Sequence, residues 1–250
     1  MQTMADRLAV APSRGAKMMY LIKRRADTTR EALVAHWFAN HMPGVIADQA
    51  RSSAAGRMAA QRYIATLFDP GRDGEHLWDG VAQLWFDRAL PRPKEPHGSR
   101  PRDSFQEHAM PYVPWATQEY VVMDGSEQLP VEPLTLNDPY PCTRSGFFKV
   151  IFLVKAKPDT DFAAFFDHWL TVHVPNVAQT MEAVNGFRYV VSHSLEPEAE
   201  PYAGMAELYF HDPAGWRDYK QTITPDGMER WGDDNGTLVL RAQTEMIGIR

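Results

Sequence analysis

Cysteine is almost missing from this 250-residue chain, with Cys142 its sole representative. A single thiol cannot form an intramolecular disulfide, so the fold needs no oxidising compartment, and in YPCTRSG it reads as incidental. Basic excess is missing too. The 26 Lys and Arg stand against 32 Asp and Glu, for a formal charge of −6, which argues against a nucleic-acid partner. No apolar run approaches the length needed to span a membrane. The opening residues, MQTMADRLAVAPSRGAK, lack the apolar centre and cleavage site of a secretory signal. A cytoplasmic protein with neither nucleic-acid nor membrane partner is the expectation. Also lacking are a glycine-rich phosphate loop and a Gly-x-Ser-x-Gly elbow, which sets aside dinucleotide, P-loop and α/β-hydrolase chemistry.

What the chain does have is a motif that occurs twice. His36, Trp37, His41 and Pro43 recur as His168, Trp169, His173 and Pro175, all at an offset of 132. Other blocks repeat with them. Lys17 to Lys23 aligns with Lys149 to Lys155, Arg62-Tyr63 with Arg188-Tyr189, and GVAQLWF (80 to 86) with GMAELYF (204 to 210). TQEYVV (117 to 122) aligns more loosely with QTEMIG (243 to 248). The offset drifts from 132 to 124, as small loop deletions in the second copy would make it do.

Each copy reads as strand, helix, strand, strand, helix, strand. KMMYLIK and FFKVIFLVK are apolar runs suited to buried strands. Asp27, Thr28 and Thr29 are candidate caps for the helix of the first motif, and Asp159 and Thr160 for that of the second. Pro43 and Pro175 are expected to stop or kink these helices, with Met42 pushed out of helical geometry. Pro213 marks the start of a further helix, and residues 237 to 249 a closing strand. The resulting fold class is α+β: two ferredoxin-like repeats whose antiparallel sheets pack as an intramolecular α+β barrel. The expected boundaries are an arm at 1–16, a first repeat at 17–123, a linker at 124–146 and a second repeat at 147–250. Residues 88–114 contain six prolines and form an insertion in the first repeat, of the length that often makes a lid.

A strand, a helix carrying HWxxxHxP, Arg-Tyr on a strand and then G-x-A-E-L-Y-F resembles the EthD family of the dimeric α+β barrel superfamily. The resemblance is good over 147 to 250 and weaker over 17 to 123, where Gln83 stands in place of Glu207. It implies an enzyme of small phenolic or polyketide-like compounds, with the pocket between the sheet and its own helices. A dimer of such pseudo-dimers is left open.

The candidate catalytic residues are His41 and His173. Trp37 and His41 are four apart and share a helical face, as do Trp169 and His173. Such an imidazole can act as a general acid or base; the alternative is a cap that bonds a backbone carbonyl. His36 and His168 lie about 140° around the helix from their partners, so neither pair makes a metal site, and they read as structural. For substrate binding the candidates are Arg62, Tyr63, Arg188, Tyr189, Trp37, Trp169 and Glu207. An arginine could hold a carboxylate, a tyrosine a phenol oxygen, and Glu207 could orient His173. His97, His108 and His193 are weaker candidates. The expected activity is that of a cofactor-independent lyase, most simply a decarboxylase of a phenolic or polyketide-like aromatic carboxylic acid. It needs no cofactor and no metal. A cofactor-free monooxygenase or cyclase, and a non-catalytic binding module, are the alternatives.

Overall fold

The computed structural model describes residues 10–71, 77–129 and 139–250. The start of the expected arm, most of the polar loop after Pro70 and the middle of the expected linker lie outside the described residues. The chain forms two compact units. One contains residues 15–116, 139–145 and 243–250; the other contains 10–14, 117–129 and 146–242.

With strands numbered along the chain, the first unit is an antiparallel sheet in the order β5-β10-β2-β3-β1. Its strands are β1 (Ala16–Ile22), β2 (Arg62–Leu67), β3 (Gly80–Phe86), β5 (Cys142–Arg144) and β10 (Thr244–Ile249). The second unit has the order β4-β7-β8-β6-β9, in which β4-β7-β8-β6 repeats β10-β2-β3-β1 and the fifth strand lies at the opposite edge, beside β6. Its strands are β4 (Trp115–Met123), β6 (Phe148–Val154), β7 (Arg188–Ser194), β8 (Gly204–Phe210) and β9 (Leu238–Ala242). The α+β class and the antiparallel, ferredoxin-like repeats are therefore as expected.

The last strand of each sequence repeat lies in the unit built on the other. β10 pairs with β2, placing Met246 opposite Ala65, and β4 pairs with β7, placing Tyr120 opposite Val191. Residues 237 to 249 are not one closing strand. They divide at Gln243 into β9, beside β6, and β10, beside β2.

Alternation along the strands sets which side chains meet the helices. In β1, Met18 and Ile22 join the core under the helices of the first unit, while Lys17 and Met19 point to the opposite face; both are buried. Burial on both faces explains why these strands read as nearly continuous apolar runs. The helices of the first unit are α1 (Arg30–His36), α2 (Met42–Ala54) and the short α3 (Ser104–His108) from the insertion. Those of the second are α4 (Phe162–His168), α5 (Val174–Ala183) and α6 (Pro213–Thr222). Thr29 caps α1 through its hydroxyl, and Asp212 caps α6 ahead of Pro213. Asp161 caps α4 in place of the expected Asp159 or Thr160, because Asp159 adopts φ 59° and makes the preceding turn.

The prolines do not break their helices. Trp37–His41 and Trp169–His173 are single π-turns joining α1 to α2 and α4 to α5. The Met42 amide reaches back five residues to the Trp37 carbonyl, and the Val174 amide likewise to Trp169. Met42 itself is helical (φ −58°, ψ −45°). A proline normally clashes with the carbonyl four residues back. The wider turn moves that carbonyl aside, and the proline has no N–H to leave unpaired, so the helix runs on.

Two glycines let the tryptophans of these turns lie against the sheet. A Cβ on Gly204 would sit 2.7 Å from the Ser192 carbonyl oxygen and 3.1 Å from the Trp169 ring. One on Gly80 would sit 2.6 Å from the Thr66 oxygen and 3.0 Å from Trp37.

Candidate functional site

In each unit the π-turn presents one histidine to a cavity between the sheet and its own helices. In the second unit, His173 shares a cavity of about 560 Å³ with Trp169, Tyr189, Trp216 and Tyr219. In the first, His41 shares one of about 270 Å³ with Trp37 and Tyr63.

Both histidines are held by an aspartate. His173 Nδ1 lies 2.7 Å from Asp226 Oδ2, and His41 Nδ1 lies 2.6 Å from Asp103 Oδ2. An ionised carboxylate only accepts, so Nδ1 carries the hydrogen in each pair and Nε2 is left for the cavity. Each aspartate is anchored in turn. Asp226 Oδ1 accepts from the Met228 amide at 3.2 Å, and Asp103 Oδ1 from the Gln106 amide at 2.9 Å.

The second pair is the better secured. Asn176 donates to Asp226 Oδ2 at 2.7 Å, whereas the matching position in the first repeat is Gly44. The Asp226 side chain is 10% exposed, against 29% for Asp103. Burial alone would raise the Asp226 carboxyl; hydrogen bonds from His173 and Asn176 outweigh it and hold the group far below the usual carboxylate range. At Asp103 the same opposition, burial against bonds from His41 and the Gln106 amide, also ends in a lowered value.

The tyrosines reach the same cavities. Tyr63 accepts a hydrogen bond from Trp37 Nε1 at 3.1 Å. Among the described residues, the Tyr189 hydroxyl and Trp169 Nε1 are both buried with no hydrogen-bond partner. The indole lies near enough to offset part of the effect of burial on Tyr189, but falls short of hydrogen-bond geometry. Burial raises both phenols well above the ordinary tyrosine value, so they stay neutral donors.

The arginines lie elsewhere. Strand alternation that turns Tyr63 and Tyr189 inward turns Arg62 and Arg188 outward. Arg62 lies over the Trp85 ring at 5.0 Å, and Arg188 pairs with Asp124. Glu207 also faces away from the helices, between the cavity residues Ala206 and Leu208. It bonds Lys149 Nζ at 2.7 Å and does not meet His173; Asp226 takes the orienting role. Among the described residues, Lys220 is the only lysine or arginine lining the larger cavity.

The remaining histidines divide by surroundings. His36 Nδ1 is 2.9 Å from Ser104 Oγ, and its ring stacks on His108 at 4.1 Å. His168 packs on Trp231 at 4.6 Å. His193 is buried against Phe166 and Trp169, at 4.2 and 4.8 Å. Burial pushes it down to about 3. His97, from the insertion, lines the smaller cavity. Among the described residues, no group of three or more His, Cys, Asp or Glu is placed to hold a metal ion. No helix among them is long and apolar enough to cross a membrane.

Sequence reasoning misses the aspartates because they lie outside the matched blocks. One faint signal exists: Asp103-Ser104-Phe105 and Asp226-Gly227-Met228 are offset by 123, close to the 124 of the neighbouring strand. Phe105 and Met228 line the corresponding cavities.

Comparison with known proteins gives a domain and distant structural likenesses. Residues 157–240 match the EthD domain. Chlorite dismutase from Candidatus Nitrospira defluvii, in complex with imidazole, is 10% identical with a TM-score of 0.49, over 95% of this chain and 95% of that one. A heme-binding protein from Thermus thermophilus is 13% identical with a TM-score of 0.42, over 95% and 94%. No curated protein matches the sequence.

Proposed function

With an EthD domain over residues 157–240 as premise, we propose that the second unit is a cofactor-independent acid–base lyase, a decarboxylase of a multi-ring hydroxyaromatic carboxylic acid. The observation that carries this reading is the His173–Asp226 pair opening onto the larger, aromatic-walled cavity. A cavity of about 150 Å³ accommodates one benzene ring. The volume of about 560 Å³ therefore suits a substrate of two or three fused rings.

The chemistry follows from the residues present. The substrate carboxylate meets Lys220, the role first expected of an arginine. The Tyr189 hydroxyl, buried without a hydrogen-bond partner among the described residues, donates to the phenol or carbonyl oxygen. Such an orphaned group costs roughly 1–3 kcal/mol when buried, and a substrate oxygen removes that cost. His173 Nε2 delivers a proton to the ring carbon that bears the carboxylate. The carbon–carboxylate bond then breaks, its electron pair returns to the ring, and carbon dioxide leaves. Asp226 stabilises the imidazolium before transfer, and the neutral imidazole regains its proton from solvent. Apolar walls favour the step because charge is lost as the reaction proceeds.

The test is a panel of hydroxynaphthoic and hydroxyanthracene carboxylic acids, followed by carbon dioxide release. His173→Gln is expected to lower kcat by about 10²–10⁴-fold, the usual contribution of a general acid. Turnover unchanged in that variant sinks the proposal. Oxygen uptake without carbon dioxide release replaces it with cofactor-free oxygenation.

A further inference from the structure

The first unit carries a cavity that the chemistry above does not use, and it differs from the larger one in size and in the cations that line it. Its volume of about 270 Å³ is close to that of one substituted ring by the benzene measure of about 150 Å³. Three tyrosines, Tyr20, Tyr63 and Tyr112, line it together with His41, His97 and Gln106. Among the described residues no lysine or arginine lines it, whereas Lys220 lines the larger cavity; acidic side chains line both, Asp48 here and Glu229 and Asp234 there. A carboxylate entering this cavity would lose its hydration and meet no lysine or arginine.

A neutral hydroxyl meets the opposite situation. Burial raises Tyr20 and Tyr63, and pushes Tyr112 up to about 12, so all three remain protonated donors. Gln106 Nε2 donates to the Tyr112 hydroxyl at 3.3 Å, and Trp37 Nε1 to that of Tyr63 at 3.1 Å. Both phenolic hydrogens are thereby directed to other acceptors. His41, fixed through Nδ1 by Asp103, offers Nε2 to a ligand O–H. Phe105 tilts over the imidazole at 4.5 Å, an aromatic wall for a flat ring. Five of these groups come from the insertion: His97, Asp103, Phe105, Gln106 and Tyr112. That explains why the two cavities differ although the two repeats share one order of elements.

We infer that the His41 cavity is a second binding site, selective for a neutral single-ring phenol over an aromatic carboxylate. Ala82 lines it, and a leucine there fills the space a ring needs. The experiment is calorimetric titration of the full chain and of Ala82→Leu with phenol and with benzoate. Phenol affinity is expected to fall at least tenfold in the variant, while benzoate titrates identically in both proteins. Absence of phenol binding to the parent overturns the inference. So does phenol binding that Ala82→Leu leaves unchanged, or a loss of benzoate affinity equal to that of phenol. If near-UV circular dichroism shows that Ala82→Leu has lost its packing, His41→Gln, which keeps the volume, replaces it with the same expected tenfold loss. None of these titrations needs turnover, so the inference stands or falls apart from the lyase reading at His173.

Discussion

At the scale of the residue, the two histidines of the repeated motif are legible because Trp, His and Pro recur in register, and four-residue spacing puts Trp and His on one face. Their aspartates are not, because one comes from the insertion and the other from the loop after α6, segments with almost no common sequence. The Arg-Tyr pairs are half legible. Alternation requires one member of each to face inward, and only packing under Trp37 and Trp169 decides for tyrosine. His193 carries a prediction of its own. Its folded value of about 3 lies below the ordinary 6.5 because burial disfavours the charged form. As pH falls, the unfolded chain takes up this proton first. The associated stability is therefore complete above pH 6.5 and is lost progressively toward pH 3. Between pH 7.5 and pH 5 the loss is on the order of 2 kcal/mol. Asp226, lowered from 3.8, acts only below that window. Urea unfolding at the two pH values measures the difference. His193→Phe, which keeps a ring against Phe166, is expected to remove this share of it; an unchanged pH dependence in that variant assigns the effect to other groups.

At the scale of the element, most strands and helices appear where apolar periodicity places them; β5, a three-residue strand inside the expected linker, is too short to show a period, and the other exceptions have local causes. Proline in sequence signals a helix stop, yet both helices continue because a π-turn precedes each proline. That turn is a matter of one extra residue per loop of backbone, and no apolar pattern announces it. It also sets where the histidine points: His41 and His173 each end the widened turn and line a cavity. The packing of Trp169 against the sheet makes a sharp prediction. Gly204→Ala places a carbon against a backbone oxygen and the indole together, and is expected to destabilise the protein by about 1–3 kcal/mol, the usual range for overpacking. Denaturant unfolding reads the cost, and tryptophan fluorescence reads the displacement of the ring. A variant as stable as the parent shows that β8 yields more easily than its close contacts imply.

At the scale of the whole molecule, order of elements is legible and partnership is not. Repeat matching aligns residues 117 to 122 with 243 to 248 correctly as equivalent strands, but equivalence says nothing about which sheet each joins. Hydrogen-bonded pairing belongs to the backbone, and the alternation of side chains along β4 and β10 does not specify a partner strand. The exchange predicts an outcome that sequence order alone would not. Removing residues 243–250 takes β10 from between β5 and β2, so amide exchange is expected to quicken across β2 and β3, far along the chain from the deletion, more than across β6 and β8. Faster exchange confined to β6 and β9 contradicts the pairing.

The same exchange bears on how the protein is made. β2 leaves the ribosome early, and β10, which pairs with it, leaves only after the whole second repeat has been translated. Until then the nascent first half presents an unpaired strand edge, the kind of surface that recruits wrong partners. The His41 cavity is walled by residues of β2 and β3. That wall gains its β10 neighbour only once the second repeat has been made, so the edge behind the cavity is among the last parts of the first unit to be braced.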